Sequence, residues 1–198
     1  MSIDLIDELA GLEPGSHVGS LRDRRPKART NSQASYDALF TSPDATGVSR
    51  MERLAVATFV TALHGVTSVH DHYRALLVTA SGADIAGVID ATAVAAAAEG
   101  PYGSFPATAD LRAYDAPGLV FSVDPVTAEA LGQRLTAALE HAHLLVFRPR
   151  ESSPEALSAL LRTGWTTAQI VTLSQLVAFL SFQVRVVHGL DVLKGETR

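Results

Sequence analysis

The stretch from Leu54 to Leu63 reads Leu-Ala-Val-Ala-Thr-Phe-Val-Thr-Ala-Leu and has no charged face at any helical phase. A helix that is apolar all round has to be enclosed by the rest of the chain. Ser49, followed three residues later by Glu52, supplies the start signal of that helix, because a serine hydroxyl and a glutamate at this spacing cap each other's backbone N–H groups. Gly65 loosens its end. A fold with a fully enclosed helix at its centre needs other helices around it, and the remaining pattern supplies them. Helices are expected from Ser2 to about Leu12, from Asn31 or Ser32 to near Phe40 with a break at Ser42-Pro43-Asp44, from Thr67 to Ala80 and from Ala83 to Ala98. Asp124-Pro125 starts a helix running to about Leu145. Ser153-Pro154 starts one that Gly164 stops, and Thr166 or Thr167 starts one reaching about Leu190. Val184, Val186 and Val187 are β-branched, but the length of the apolar run around them favours helix. The fold class is all-α.

Residues 14–31, rich in Gly, Pro and Arg, read as a long loop, and residues 99–123, with Gly100, Pro101, Gly103, Pro106, Pro117 and Gly118, divide the chain. The organisation is therefore N-terminal helices and loop (1–48), core helices (49–98), a linker loop (99–123) and a C-terminal helical half (124–198), in one compact unit. A shift of 116 residues pairs Leu54–Leu77 with Ile170–Leu193 and matches Ala62 with Ala178, His72 with His188 and Leu77 with Leu193, which suggests two related halves.

The chain has 198 residues and no cysteine, which excludes disulfides, thiolate metal sites, iron–sulfur clusters and thiol catalysis. Its net charge of −5 and its single basic cluster (Arg22, Arg24, Arg25, Lys27, Arg29) do not form the basic face of a nucleic-acid binder. The cluster reads as a solvated or subunit-bridging segment, with an anion site as the minority alternative. The start carries Asp4, Asp7 and Glu8 and no n-region cations, so no secretory signal is expected, and the expected compartment is the cytoplasm. Ile170–Leu190 is very apolar, yet it contains Gln175, Gln183, Arg185 and His188, a set of strong donors and acceptors unlike a membrane span.

Two stretches carry a family resemblance. One is Glu52-Arg53-Leu54 leading to Leu63-His64-Gly65-Val66-Thr67-Ser68-Val69-His70-Asp71-His72-Tyr73. The other runs from Ala159-Leu160-Leu161-Arg162-Thr163-Gly164-Trp165 through Ile170 to Arg185-Val186-Val187-His188-Gly189-Leu190. Together they resemble the alkylhydroperoxidase-D and carboxymuconolactone-decarboxylase superfamily, in its peroxidase-related subgroup. There a buried helix leads into Asn-Gly-Cys-x-x-Cys with a histidine shortly after. The resemblance implies an all-α fold and assembly as a homo-oligomer, a dimer, trimer or hexamer. In thiol-bearing members the cysteine pair reduces peroxides, assisted by a glutamate–histidine relay. Here Val66 and Val69 stand at the thiol positions, so that chemistry is absent. His72 is the best counterpart of the family histidine, although Tyr73 sits at the more usual position, and Glu52 approximates the upstream glutamate.

Two functions of different class follow as expectations. The first is an oligomeric pseudoenzyme or binding subunit, with a small molecule as its ligand. The second is a non-thiol acid–base enzyme of the decarboxylase or lactone type, using Glu52, His72 and Tyr73. Glu52 has an equally good plain reading as a capping acid. Arg185 and His188, about one turn apart, form a candidate anion-binding pair, with a structural ion pair as the ordinary alternative. His64, His70 and His72 invite a metal reading, but residues two apart on a helix point about 200° away from each other. The same objection applies to His141 and His143. No metal, no cofactor, no nucleic acid and no membrane are expected. Trp165 should anchor a helix junction, and Tyr102, Phe105 and Tyr114 should cover a pocket or meet a neighbouring subunit.

Overall fold

Helix α4 (Arg50–His64) forms as its sequence dictates. Ser49 Oγ accepts the Glu52 N–H (3.2 Å), and a Glu52 carboxylate oxygen accepts the Ser49 N–H (2.8 Å), completing the capping box. Every residue from Glu52 to Thr61 is buried. The two hydroxyls in that run are satisfied inside the helix: Thr58 donates to the Leu54 carbonyl (2.9 Å) and Thr61 to that of Ala57 (2.7 Å). An enclosed polar group without such a partner would cost about 1–3 kcal/mol. Around α4 lie α5 (Thr67–Ser81), α6 (Ala83–Ala95), α8 (Gln133–Phe147) and α10 (Thr167–Glu196). The computed structural model describes residues 4–41, 47–105 and 111–196. Among them there is no strand, and the fold is all-α.

Several expected boundaries hold. Gly65, at φ 71°, ends α4 in the left-handed conformation that glycine adopts without steric penalty. Ser153 Oγ caps α9 (Pro154–Arg162) through the Ala156 N–H. Trp165 is buried, and its indole N–H donates to the Arg134 carbonyl (3.0 Å), so it does anchor the junction between α8, α9 and α10. Val184, Val186 and Val187 are helical, with Val184 and Val187 in the core.

Other boundaries differ. Residues 14–31 are not a loop: they hold α2 (His17–Asp23) and most of α3 (Pro26–Tyr36). Ser16 caps α2 through the Gly19 N–H (3.1 Å), and Pro26 occupies the first turn of α3. Asn31 and Ser32 therefore lie inside a helix instead of starting one. The arginines that suggest a loop in sequence are what hold this region, because Arg22 and Arg29 both pair with Asp4 and Asp7 at the start of α1 (Leu5–Leu9). Asp4 caps α1, while Ser2 and the Ser42-Pro43-Asp44 break lie outside the described residues. The helix expected from Asp124 is two helices, α7 (Pro125–Leu131) and α8, because Gly132 turns the chain at φ 77°. The suggested repeat does not carry into shape. The first copy is a hairpin broken at Gly65, while Ser181, its counterpart, sits inside the unbroken 30-residue α10.

The described part of the 99–123 segment is irregular apart from one 3₁₀ turn at Arg112–Tyr114 and a bridge between Gly103 and Ala116. It is held against α8 by Tyr102, whose ring stacks on Phe147 (6.0 Å, 6°) and whose hydroxyl donates to the Leu119 carbonyl (2.8 Å). Phe105 lies under the Arg150 guanidinium, and Tyr114 is exposed. Gly118 is required by close approach, since a Cβ there would fall 1.9 Å from the Tyr102 ring. α10 is long and apolar enough to cross a membrane, with mean hydropathy 1.7, yet half of its most apolar window is buried within the bundle.

Two glycines separate close packing from helix propensity. Gly87, exposed on α6 with open space around its Cβ position, gains stability on Gly87→Ala by about 0.5–1 kcal/mol. Gly118→Ala loses about 1–3 kcal/mol by forcing the Tyr102 ring aside. Urea denaturation of the two variants should move in opposite directions.

Candidate functional site

The turn from α4 into α5 places Val66 at the N-cap of α5, in extended conformation and without a side-chain cap. Val69 is completely buried in the core, and Val66 is half-buried against it. A cleft of ≈ 480 Å³ opens beside this turn. Val66, Thr67 and Ser68 line one side of it, the end of α1 with Glu8 a second, and the last turns of α10 with His188 and Lys194 a third. The Lys194 ammonium donates to the Ala10 carbonyl (2.5 Å) and pairs with Asp191 (3.0 Å), tying α10 to α1 across the cleft.

His72 and Tyr73 meet edge to face, with ring centroids 5.0 Å apart, while Glu52 is held by other partners. Glu52 is buried, and both of its carboxylate oxygens are engaged. One takes the Ser49 N–H and hydroxyl, and the other takes Arg134 Nε at 2.6 Å. Arg134 also donates to the Gly164 carbonyl (2.7 Å) and lies over the Trp165 ring, 4.1 Å from its centroid. His72 has a different partner: its Nε2 is 3.1 Å from the Tyr36 hydroxyl on α3. Burial holds its pKa below the usual imidazole value, with Glu8 opposing weakly. Tyr73 is fully buried between Phe40 and His72, and its hydroxyl donates to Gln183 Oε1 on α10 (2.6 Å). Burial raises the Tyr73 phenol well above its ordinary value, so it stays protonated. Among the described residues no hydrogen bond joins Glu52 to His72.

His70, His141 and His143 are similarly occupied. His70 turns toward α6 and Asp90 (3.1 Å), which Arg74 also holds (2.6 Å), so His70 and His72 diverge as their spacing requires. His143 is fully buried against the Ala96 carbonyl (3.1 Å), and His141 contacts Ser174 (3.4 Å). Arg185 and His188 also separate. The Arg185 guanidinium donates back to the Ser181 carbonyl of its own helix (2.9 Å), while His188 lines the cleft. No group of three or more metal-ligating side chains occurs among the described residues.

His64 Nε2 lies 3.1 Å from Ser181 Oγ, a hydroxyl–imidazole contact across 117 positions that no local signal reveals. Its chemistry is poor. Burial and the neighbouring Arg185 push the His64 pKa down to about 4, far from the value near neutrality that a general base needs. Arg134, Gln183 and Tyr36, which partner the expected site residues, also went unidentified in the sequence. Each is brought in from another helix by the tertiary fold.

Two outcomes follow. His64 and His143 both have folded pKa values of about 4, chiefly through burial, below the roughly 6.5 of an unfolded chain. Between those values the unfolded chain binds protons that the folded chain refuses. Their contribution is therefore complete above pH ~6.5 and is lost as pH falls toward 4. Thermal melts across this window should fall steeply with acid, and less steeply in His143→Gln. Separately, Arg134→Met strands the buried Glu52 carboxylate and should lose about 3 kcal/mol in chemical denaturation. Adding Glu52→Gln to Arg134→Met should recover part of that loss.

No protein-family model, no curated protein and no solved structure matches this chain.

Proposed function

We propose that this chain is a helical protein of the alkylhydroperoxidase-D and carboxymuconolactone-decarboxylase type that works without thiol chemistry, as a homo-oligomeric binding subunit of the cytoplasm. The observation that supports this reading is the state of the α5 start. Where thiol-bearing members would carry their redox pair stand Val66, half-buried, and Val69, sealed in the core. Valine has neither a nucleophilic lone pair nor an exchangeable proton.

The neighbouring polar groups support binding over turnover. A catalytic carboxylate needs an oxygen free to take a proton from a substrate. Glu52 has none, because its oxygens hold the cap of α4 and Arg134. His72 and Tyr73 are bound to Tyr36 and Gln183. The cleft beside Val66 is the ligand site on this reading. Its rim carries Glu8 and His188 beside the Lys194–Asp191 ion pair, which suits a small polar molecule such as an amino acid.

Consumption of hydrogen peroxide or an organic hydroperoxide in the presence of a dithiol should stay at background. Turnover above background would refute the reading. A thermal-shift panel of free amino acids should raise the melting temperature for at least one compound. Val66→Trp, which fills the cleft, should abolish that shift while His72→Ala leaves it in place.

A further inference from the structure

The basic run from Arg22 to Arg29 takes no part in the function proposed above, yet it borders a second depression in the surface. A groove of ≈ 260 Å³ lies between α2, the start of α3 and the C-terminal half of α10. Its walls are apolar: Leu21 comes from α2, and Phe182, Val186 and Leu193 come from α10. Phe182 (43% exposed) and Leu193 (38%) leave much of their surface in water. The charged groups at the edge are all of one sign. Arg22, Arg25 and Arg29 line the groove, and among the described residues no carboxylate does. Apolar walls with a purely cationic edge complement a ligand that has an apolar body and an anionic head.

The three arginines are not equivalent. Arg22 is held by Asp4 (2.6 Å) and Asp7, and Arg29 by Asp4, Asp7 and Asp23. Arg25 is exposed, and among the described residues its guanidinium has neither an ion pair nor a hydrogen bond. It stands at the start of α3, where its side chain makes no capping bond. Ser32, the remaining polar side chain of the lining, donates its hydroxyl to the Arg29 carbonyl (2.9 Å). One unpaired guanidinium matches one negative charge, and its parallel N–H groups match the two oxygens of a carboxylate. We infer that the groove binds a single-chain fatty acid, with its carboxylate on Arg25 and its hydrocarbon chain along Leu21, Phe182, Val186 and Leu193.

Size and shape favour this occupant. The groove is smaller than the roughly 300–1,000 Å³ of sites for drug-sized ligands. It suits one slim chain and not a two-chain lipid. Its apolar surface is recessed, whereas a helix lying on a bilayer presses a projecting apolar face into it. A doubly charged phosphate head would leave one charge without a partner, because Arg22 and Arg29 are already committed to carboxylates. The groove shares no lining residue with the cleft beside Val66, so the two sites stand or fall separately.

Isothermal titration calorimetry with decanoate, kept below its micellar concentration, tests this on the full chain. Decanoate should bind once per chain. From hexanoate through octanoate to decanoate the affinity should rise about twofold to fourfold per added methylene. Decanol and decyltrimethylammonium should bind at least about tenfold more weakly. Arg25→Gln should weaken decanoate by at least about tenfold with circular dichroism and melting temperature unchanged, and Arg25→Glu should reverse the order, favouring decyltrimethylammonium over decanoate. Ala28→Trp, at an exposed position on the groove's edge, should also weaken decanoate, whereas Val66→Trp should leave it unaffected. The assignment is overturned if decanol binds as tightly as decanoate, if Arg25→Gln and Ala28→Trp bind decanoate unchanged, or if several decanoates adsorb per chain. It is equally overturned if decanoate does not bind, including the case in which phosphatidylglycerol vesicles retain the chain instead.

Discussion

The contact on which the structure depends is the one between Glu52 and Arg134. α4 is enclosed from Glu52 to Thr61, while its first residues, Ser49, Arg50 and Met51, are exposed, and its first N–H groups need a cap. Glu52 closes that end with Ser49 and at the same time receives Arg134 from α8. Arg134 carries the link onward to the Gly164 carbonyl before α10 and to the Trp165 ring. One carboxylate therefore orders the start of the central helix, the helix beside it and the junction leading to the longest helix. The apolar burial around α4 supplies the free energy of the fold, but it has no direction. The ion pair sets which turn of α8 lies against which turn of α4.

Local signals were legible where one residue serves its near neighbours. The Ser49–Glu52 box, the Asp124-Pro125 start, the Ser153 cap and the Gly65 stop all act within four residues, and each was found in place. The 14–31 region was misread because its stability is not local. α2 and α3 are held by Arg22 and Arg29 reaching back to Asp4 and Asp7, and a composition rich in Gly, Pro and Arg does not reveal those pairs. Gly132 is the opposite case: a local breaker inside an otherwise continuous helical pattern, and it breaks the helix.

The candidate site was less legible than the fold. Selecting Glu52, His72 and Tyr73 by type and spacing identified buried polar residues, but not what they face. Their partners lie 82, 36 and 110 positions away. Once those partners are known, the three residues separate into three hydrogen-bonded units. His70 and His72 show the same point within one helix, since a spacing of two sends one ring to α6 and the other to α3.

A polar group inside an apolar bundle must find a partner or lose on the order of 1–3 kcal/mol, and that requirement competes with chemistry for the same lone pairs. A functional carboxylate or imidazole has to keep one position open toward a cavity and accept the energetic cost. Here Glu52, His72 and Tyr73 each meet a protein partner, and the cleft lies elsewhere, around Val66. The side chains that do line it, such as His188, Glu8 and Lys194, come from the ends of helices and not from their buried middles. Helix ends can present side chains to a ligand without opening the core. In a fold whose centre is a fully enclosed helix, recognition is therefore cheapest at the rim, and the polar groups of the interior are left to hold the helices in register.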